Sequence, residues 1–172
     1  PVGSISRNGT RAQRNRATEG LEVKYTFDIE KVVQVVGYLF AVSGSRHMNF
    51  MKCLKLLYIA DRESLRDVGA PITGDCPVAM NKGPVLSQVY DLIGWCESVP
   101  NKSSQVEWWR RFFRTNSYDL QMMEQPAVDR LCEFEMTKLQ EVWERFGHMN
   151  CFELSDHTHA FPEWQKNEVG RS

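Results

Sequence analysis

Apolar positions along this chain fall at helical spacing in several stretches, separated by short alternating or turn-rich pieces. Ile29, Val32, Val33, Val36, Leu39 and Phe40 recur every three or four residues and predict a helix over 28–43. Thr26 or Asp28 would cap its start and Gly44 would end it. Asn49 predicts the cap of a second helix over 50–67, with Gly69 as its stop and Phe50, Leu54, Leu57, Tyr58 and Leu65 as its apolar stripe. Residues 70–80 are too short for anything but a small hairpin turning at Gly74-Asp75. Pro84 then suits the first turn of a third helix, whose buried face is Leu86, Val89, Tyr90 and Ile93 and whose end is Gly94.

The second half continues the pattern. Residues 98–104 read as a loop, and Ser104 with Glu107 as a capping box for a short helix carrying Trp108, Trp109, Phe112 and Phe113. Tyr118, Leu120 and Met122 alternate with polar residues, as in a strand that could join the hairpin in a three-stranded sheet. Leu131, Met136, Leu139, Val142, Trp143 and Phe146 predict a helix over 133–146, stopped by Gly147. Asn150 caps a last turn or two around Phe152 and Leu154. The expected fold class is mainly α with a small antiparallel β-sheet, built as one compact domain.

Composition narrows the classes without choosing among them. The 172 residues can bury a real core, and 42% hydrophobic with 25% charged residues is a globular profile. A net charge of −1 gives no overall field for nucleic acid or membrane. No apolar run approaches the ~20 residues of a membrane span, and the first twenty residues lack the apolar core of a signal peptide. Five cysteines stand singly, at 53, 76, 96, 132 and 151, the pattern of reduced thiols in a cytoplasmic protein. Residues 1–24 are expected to form a basic, flexible N-terminal arm or tail, whose first twenty residues set Arg7, Arg11, Arg14 and Arg16 against Glu19 alone; 25–165 is the domain; 166–172 is a polar C-terminal tail.

Charge changes the picture at the second helix. Lys52, Lys55, Arg62 and Arg66 line up on one side with Ile59 between them. This is either a solvated cationic face or a partner-binding face, since an exposed Ile among cations is what an interface uses. Asp61 lies instead on the Tyr58/Leu65 side and, if buried, must pair with or cap a neighbouring element. The Trp108–Phe113 cluster either fills the core or leaves Trp108 and Trp109 as interface anchors. Arg110, Arg111 and Arg114 add basic charge there, a weak nucleic-acid signal that the basic arm could supplement.

Candidate chemistry is sparse. Asp156, His157, His159 and Glu163 are the one cluster of ligand-type side chains, and H-x-H can chelate a metal on a strand or loop. A small metal-assisted hydrolase would centre on His157, His159 and Glu163, with Asp61 as a further candidate. No H-E-x-x-H, G-x-S-x-G or phosphate-loop pattern accompanies them, so no catalytic residue, metal or cofactor is assigned.

The stretches KCLKLLYIADRESLRDVGAPITGD and VAMNKGPVLSQVYDLI carry a resemblance. With Trp109 to Phe113, Tyr118-Asp119-Leu120, Leu131 to Gly147 and Thr158 to Trp164 they resemble the Panacea domain, the SocA-like antitoxin family of bacterial and phage toxin–antitoxin systems, over roughly 27–165. The shared motif positions are Lys55, Leu57, Tyr58, Asp61, Gly83, Pro84, Val85, Tyr90, His159, Pro162, Glu163 and Trp164. The resemblance implies a mostly helical, non-enzymatic, cytoplasmic antitoxin whose partner is a cognate toxin, neutralised through protein–protein contact. It also implies a special form, an adaptor delivering the toxin to the ClpXP protease. The helix-turn-helix domain of some members is not expected within the short basic arm. Cys132 stands where the family usually has Ser before a helix, a weaker cap.

Overall fold

The computed structural model describes residues 24–98 and 104–164. The basic arm with Arg7–Arg16, most of the loop expected over 98–104, and the C-terminal tail lie outside the described residues.

Helix α1, Ile29–Ser43, forms where the apolar period places it. The Asp28 carboxylate accepts the Glu30 and Lys31 N–H groups, and Gly44, in the left-handed region at φ 68°, closes the end. A short strand β1, His47–Asn49, then leads directly into α2, Phe50–Val68. Asn49 is both the last residue of β1 and the cap of α2, its side chain accepting from Met51 and Lys52 N–H.

The hairpin sits one step later in the chain than expected. Its strands are β2, Pro77–Met80, and β3, Gly83–Leu86, so the turn is Asn81-Lys82. Pro84 is therefore in a strand, not in the first turn of a helix. Residues 70–75 form a loop held by side chains of α2. Helix α3, Ser87–Ser98, runs past Gly94, because one glycine in a helix costs only about 1 kcal/mol and does not end it without an opposing signal.

Helix α4, Ser104–Phe112, passes into β4, Phe113–Asn116, which turns back as β5, Asp119–Met122. The expected strand at 118–122 exists but does not join the hairpin. It is the centre of a separate sheet, β1-β5-β4, all antiparallel, with Met48 opposite Leu120 and Thr115 opposite Leu120. β1 and β4 were not expected, since three or four residues are too few to show a period, and Phe113, expected in the short helix, opens β4. Helix α5, Glu133–Phe146, and helix α6, Cys151–His159, complete the described chain, followed by one helical turn at 162–164. The Asn150 cap holds α6 as expected, but the helix reaches His159 rather than stopping after a turn or two. The Cys132 N–H is received by Glu135 at 3.0 Å, so the first turn of α5 is closed from the far side of its cap.

The architecture is thus mainly α with small antiparallel sheets, in one compact body. α2 is its axis. α5 and α6 pack along it, β3 crosses it, and Cys53, Leu54, Leu56, Leu57, Ile59 and Ala60 are all buried. No described helix is long and apolar enough to cross a membrane. Cys53, Cys76, Cys132 and Cys151 are free thiols.

Candidate functional site

The side of α2 expected to be an open cationic face is covered. Ile59 is 1% exposed and Lys55 0%, because α6 and β3 pack over them. The expectation of an exposed Ile among cations is corrected by that packing, and each described cation of the stripe has a use inside the molecule. Lys52 donates to the Gly147 carbonyl at the end of α5 at 2.5 Å and lies over the Trp143 ring. Lys55 donates to the Pro84 carbonyl at 3.0 Å. Arg62 donates to Glu163 at 2.5 Å and stacks over Phe161 at 4.2 Å. Arg66, exposed, pairs with its neighbour Asp67.

Lys55 explains Gly83. Gly83 has φ 90°, and a Cβ there would come within 2.7 Å of Lys55 Nζ and 2.9 Å of Thr158 Oγ1. Only glycine lets β3 lie this close to α2 and α6 while its next carbonyl receives the ammonium. Burial pushes the Lys55 ammonium down to about 8, because one carbonyl does not replace its hydration. His159 stacks on Trp164 at 4.9 Å beside this junction, and its Nε2 is buried without a hydrogen-bond partner.

Asp61 holds the other side of α2. One carboxylate oxygen accepts the Ile72 N–H at 2.9 Å and the Thr73 N–H at 3.0 Å; the other accepts the Thr73 hydroxyl. Burial is the larger influence and pushes Asp61 up to about 6 despite those bonds. The Thr73 hydroxyl in turn accepts the Asp75 N–H at 3.1 Å. Asp75 then accepts from Gln88 N–H and Val89 N–H, both at 3.0 Å through one oxygen, and so caps α3 from outside the helix. The Ile-Thr-Gly-Asp segment, which looked like a hairpin turn, is a relay from α2 to the start of α3. Asp61 was expected to cap or pair a neighbouring element; Thr73 and Asp75 were missed. Their legible signal was the Thr-x-Asp spacing itself, which suits local side chain to backbone bonding.

Beside this relay lies an open groove of about 490 Å3. Tyr25, Tyr58, Leu65, Pro71, Pro77 and Leu86 give it apolar walls, and the Arg62–Glu163 pair is a polar part of its lining. Leu65 is 47% exposed and Tyr25 41%, so the Leu65 expected in the core faces solvent at the groove rim. The Tyr58 hydroxyl donates to Glu163 at 2.9 Å. Burial works to raise Glu163, but the bonds from Arg62 and Tyr58 overcome it and leave the carboxyl below its ordinary range. Burial and Glu163 together push the Tyr58 phenol up.

The remaining candidates are placed elsewhere. Trp109 is fully buried against Phe113, and Trp108 is half-buried against Phe112 with Arg111 over its ring. Trp109 is thus core, not an interface anchor. Arg111 pairs with Glu124, and Arg114 is exposed on β4. Leu57 and Val85 are buried, Tyr90 is half-buried, and Pro162 is exposed.

The Asp156–Glu163 cluster does not assemble. His157 and His159 lie on a helix, not on a strand or loop, and side chains two apart on a helix point to different sides. His157 contacts the Phe146 and Phe161 rings, while His159 turns to Trp164. Of the residues proposed for a metal-assisted hydrolase, Asp61 and Glu163 share the groove, and the two histidines are not among its walls. Among the described residues no group of three or more His, Cys, Asp or Glu could hold a metal ion.

The antitoxin SocA-like, Panacea domain family matches residues 54–165, which is most of the segment just described. The chain belongs to this family. The matched region begins inside α2 and contains the relay, the hairpin, the Lys55–Gly83 junction and the Arg62–Glu163 pair. No curated protein and no solved structure matches the chain. In this Panacea domain the shared polar positions Lys55, Asp61 and Glu163 are all engaged in joining α2 to other elements.

Proposed function

We propose that this chain is an antitoxin that neutralises a cognate toxin by direct protein–protein contact. The observation that carries the reading is the family match over residues 54–165. The geometry supports a binding role rather than a catalytic one: the motif side chains Lys55, Asp61 and Glu163 are spent on internal hydrogen bonds, while apolar side chains at the groove remain open. An exposed apolar groove with a polar part to its lining is the kind of surface a partner protein covers. The face to examine is this groove on the Tyr58/Leu65 side of α2, reached by Arg62, and not the Lys55/Ile59 side.

The test is co-expression with the neighbouring reading frame. That frame should arrest growth alone, growth should return when this chain is present, and the two proteins should purify together. A harmless neighbour, or no rescue, would sink the proposal. Delivery of the toxin to ClpXP is the finer form. It predicts that rescue is lost and toxin accumulates in cells without that protease, whereas simple blocking predicts rescue with toxin levels unchanged.

A further inference from the structure

The register of the hairpin shows which of its backbone groups are free. Ser87 N–H donates to the Cys76 carbonyl at 3.1 Å, just beyond the paired strands. In an antiparallel ladder the hydrogen-bonded pairs alternate, so Val78 with Val85 and Met80 with Gly83 are the bonded ones. Pro77 with Leu86 and Ala79 with Pro84 are the non-bonded pairs, which is where two residues without an N–H cause no loss. The backbone groups of 77, 79, 84 and 86 therefore point away from the partner strand. On the β3 side the outward Pro84 carbonyl is taken by Lys55. On the β2 side, among the described residues, the Pro77 carbonyl meets only the Cys76 thiol at 3.9 Å, and β2 pairs with no described strand but β3.

We infer that the outer edge of β2 is a strand-addition site for an extended, apolar segment of the partner toxin. Three consecutive groups specify an extended backbone as the occupant: the Ala79 N–H, the Ala79 carbonyl and the Pro77 carbonyl. Pro77 and Leu86 are directly opposite and both line the groove, so their side chains share its face. A partner residue paired beside Pro77 would project its side chain to that same face, over Tyr25 and Leu65. This specifies an apolar residue at that position, and backbone pairing with a side-chain pocket is how strand addition combines affinity with choice of partner. Pro77 also removes one donor from the edge, which disfavours pairing between copies of this chain without removing the groups a different partner needs. The inference rests on the antitoxin reading.

The experiment is amide exchange at Ala79, followed by NMR on the full chain alone and in complex with the product of the neighbouring reading frame. The Ala79 amide should exchange at least about tenfold more slowly in the complex, as for an amide that gains a backbone partner. Ala79→Pro removes that outward N–H while sparing the bonded pairs of the hairpin, and should weaken the complex by about tenfold, the loss of one to two net hydrogen bonds. If a complex forms but Ala79 exchanges as fast as in the free chain, strand addition is overturned and the antitoxin reading stands. Slowed exchange with undiminished Ala79→Pro binding overturns it as well, because the edge is then merely covered. If no complex forms, both readings fall together.

Discussion

Lys55 is a buried cation at the contact of α2 with β3. Its ammonium is fully buried, bonded to a single described carbonyl, and packed where even a glycine-to-alanine change at 83 would collide with it. Its pKa falls from 10.5 to about 8 because burial disfavours the charge. The sign of the pH effect follows. Below about pH 8 folded and unfolded chains both carry the proton, and the folded state bears the desolvation cost. Between about 8 and 10.5 the folded chain has released the proton and the unfolded chain has not, so stability rises with pH. Lys55→Met removes the titrating group at similar volume. Denaturant unfolding across that window should show a relative rise of up to about 3 kcal/mol for the natural chain over the variant. Parallel pH profiles for the two proteins would refute the assignment.

At the scale of elements, α3 depends on a residue outside itself. Asp75 supplies the acceptors for Gln88 and Val89 N–H, and Asp61 and Thr73 hold Asp75 in place. Asp75→Ala should cost about 1–2 kcal/mol, the usual loss of a helix cap, while Asp75→Asn should recover most of it by keeping an oxygen acceptor. Equilibrium unfolding by circular dichroism checks both; an Asn variant as damaged as the Ala variant would argue against the capping role. The same scale explains the helices that were legible and the strands that were not. α1, α2 and α6 carry their own punctuation in Asp28, Gly44, Asn49, Gly69 and Asn150, and α5 ends at Gly147. β1 and β4 have three and four residues, and their partner β5 lies far along the chain from β1, so local pattern contains no trace of the pairing.

For the whole molecule, the consequence is a division between a closed and an open side of α2. The closed side holds Lys55 and Ile59 under β3 and α6; the open side carries Leu65 at the groove. Leu65→Glu should leave stability within about 0.5 kcal/mol, since the residue is exposed, yet abolish rescue and co-purification in the growth assay. Unimpaired rescue by a stable Leu65→Glu protein would remove the groove from the contact surface.

By itself the sequence determined α1, α2 and α5, the caps Asp28, Asn49 and Asn150, and the family, because 3.6-residue periodicity, capping side chains and motif spacing are all written locally. Asp61 could be expected to pair from its place on the Tyr58/Leu65 side alone. Which face of α2 would be open was decided only by tertiary structure. The basic stripe and the apolar stripe both follow helical geometry, and that geometry says nothing about what will pack against each. Residues up to a hundred positions away made the choice: Pro84, Gly147 and Glu163 took the cations of one stripe, and nothing described covered Leu65 on the other. The free edge of β2 was likewise settled by register, through the placement of Pro77 and Pro84 at non-bonded positions of a hairpin whose turn the local signals had put elsewhere.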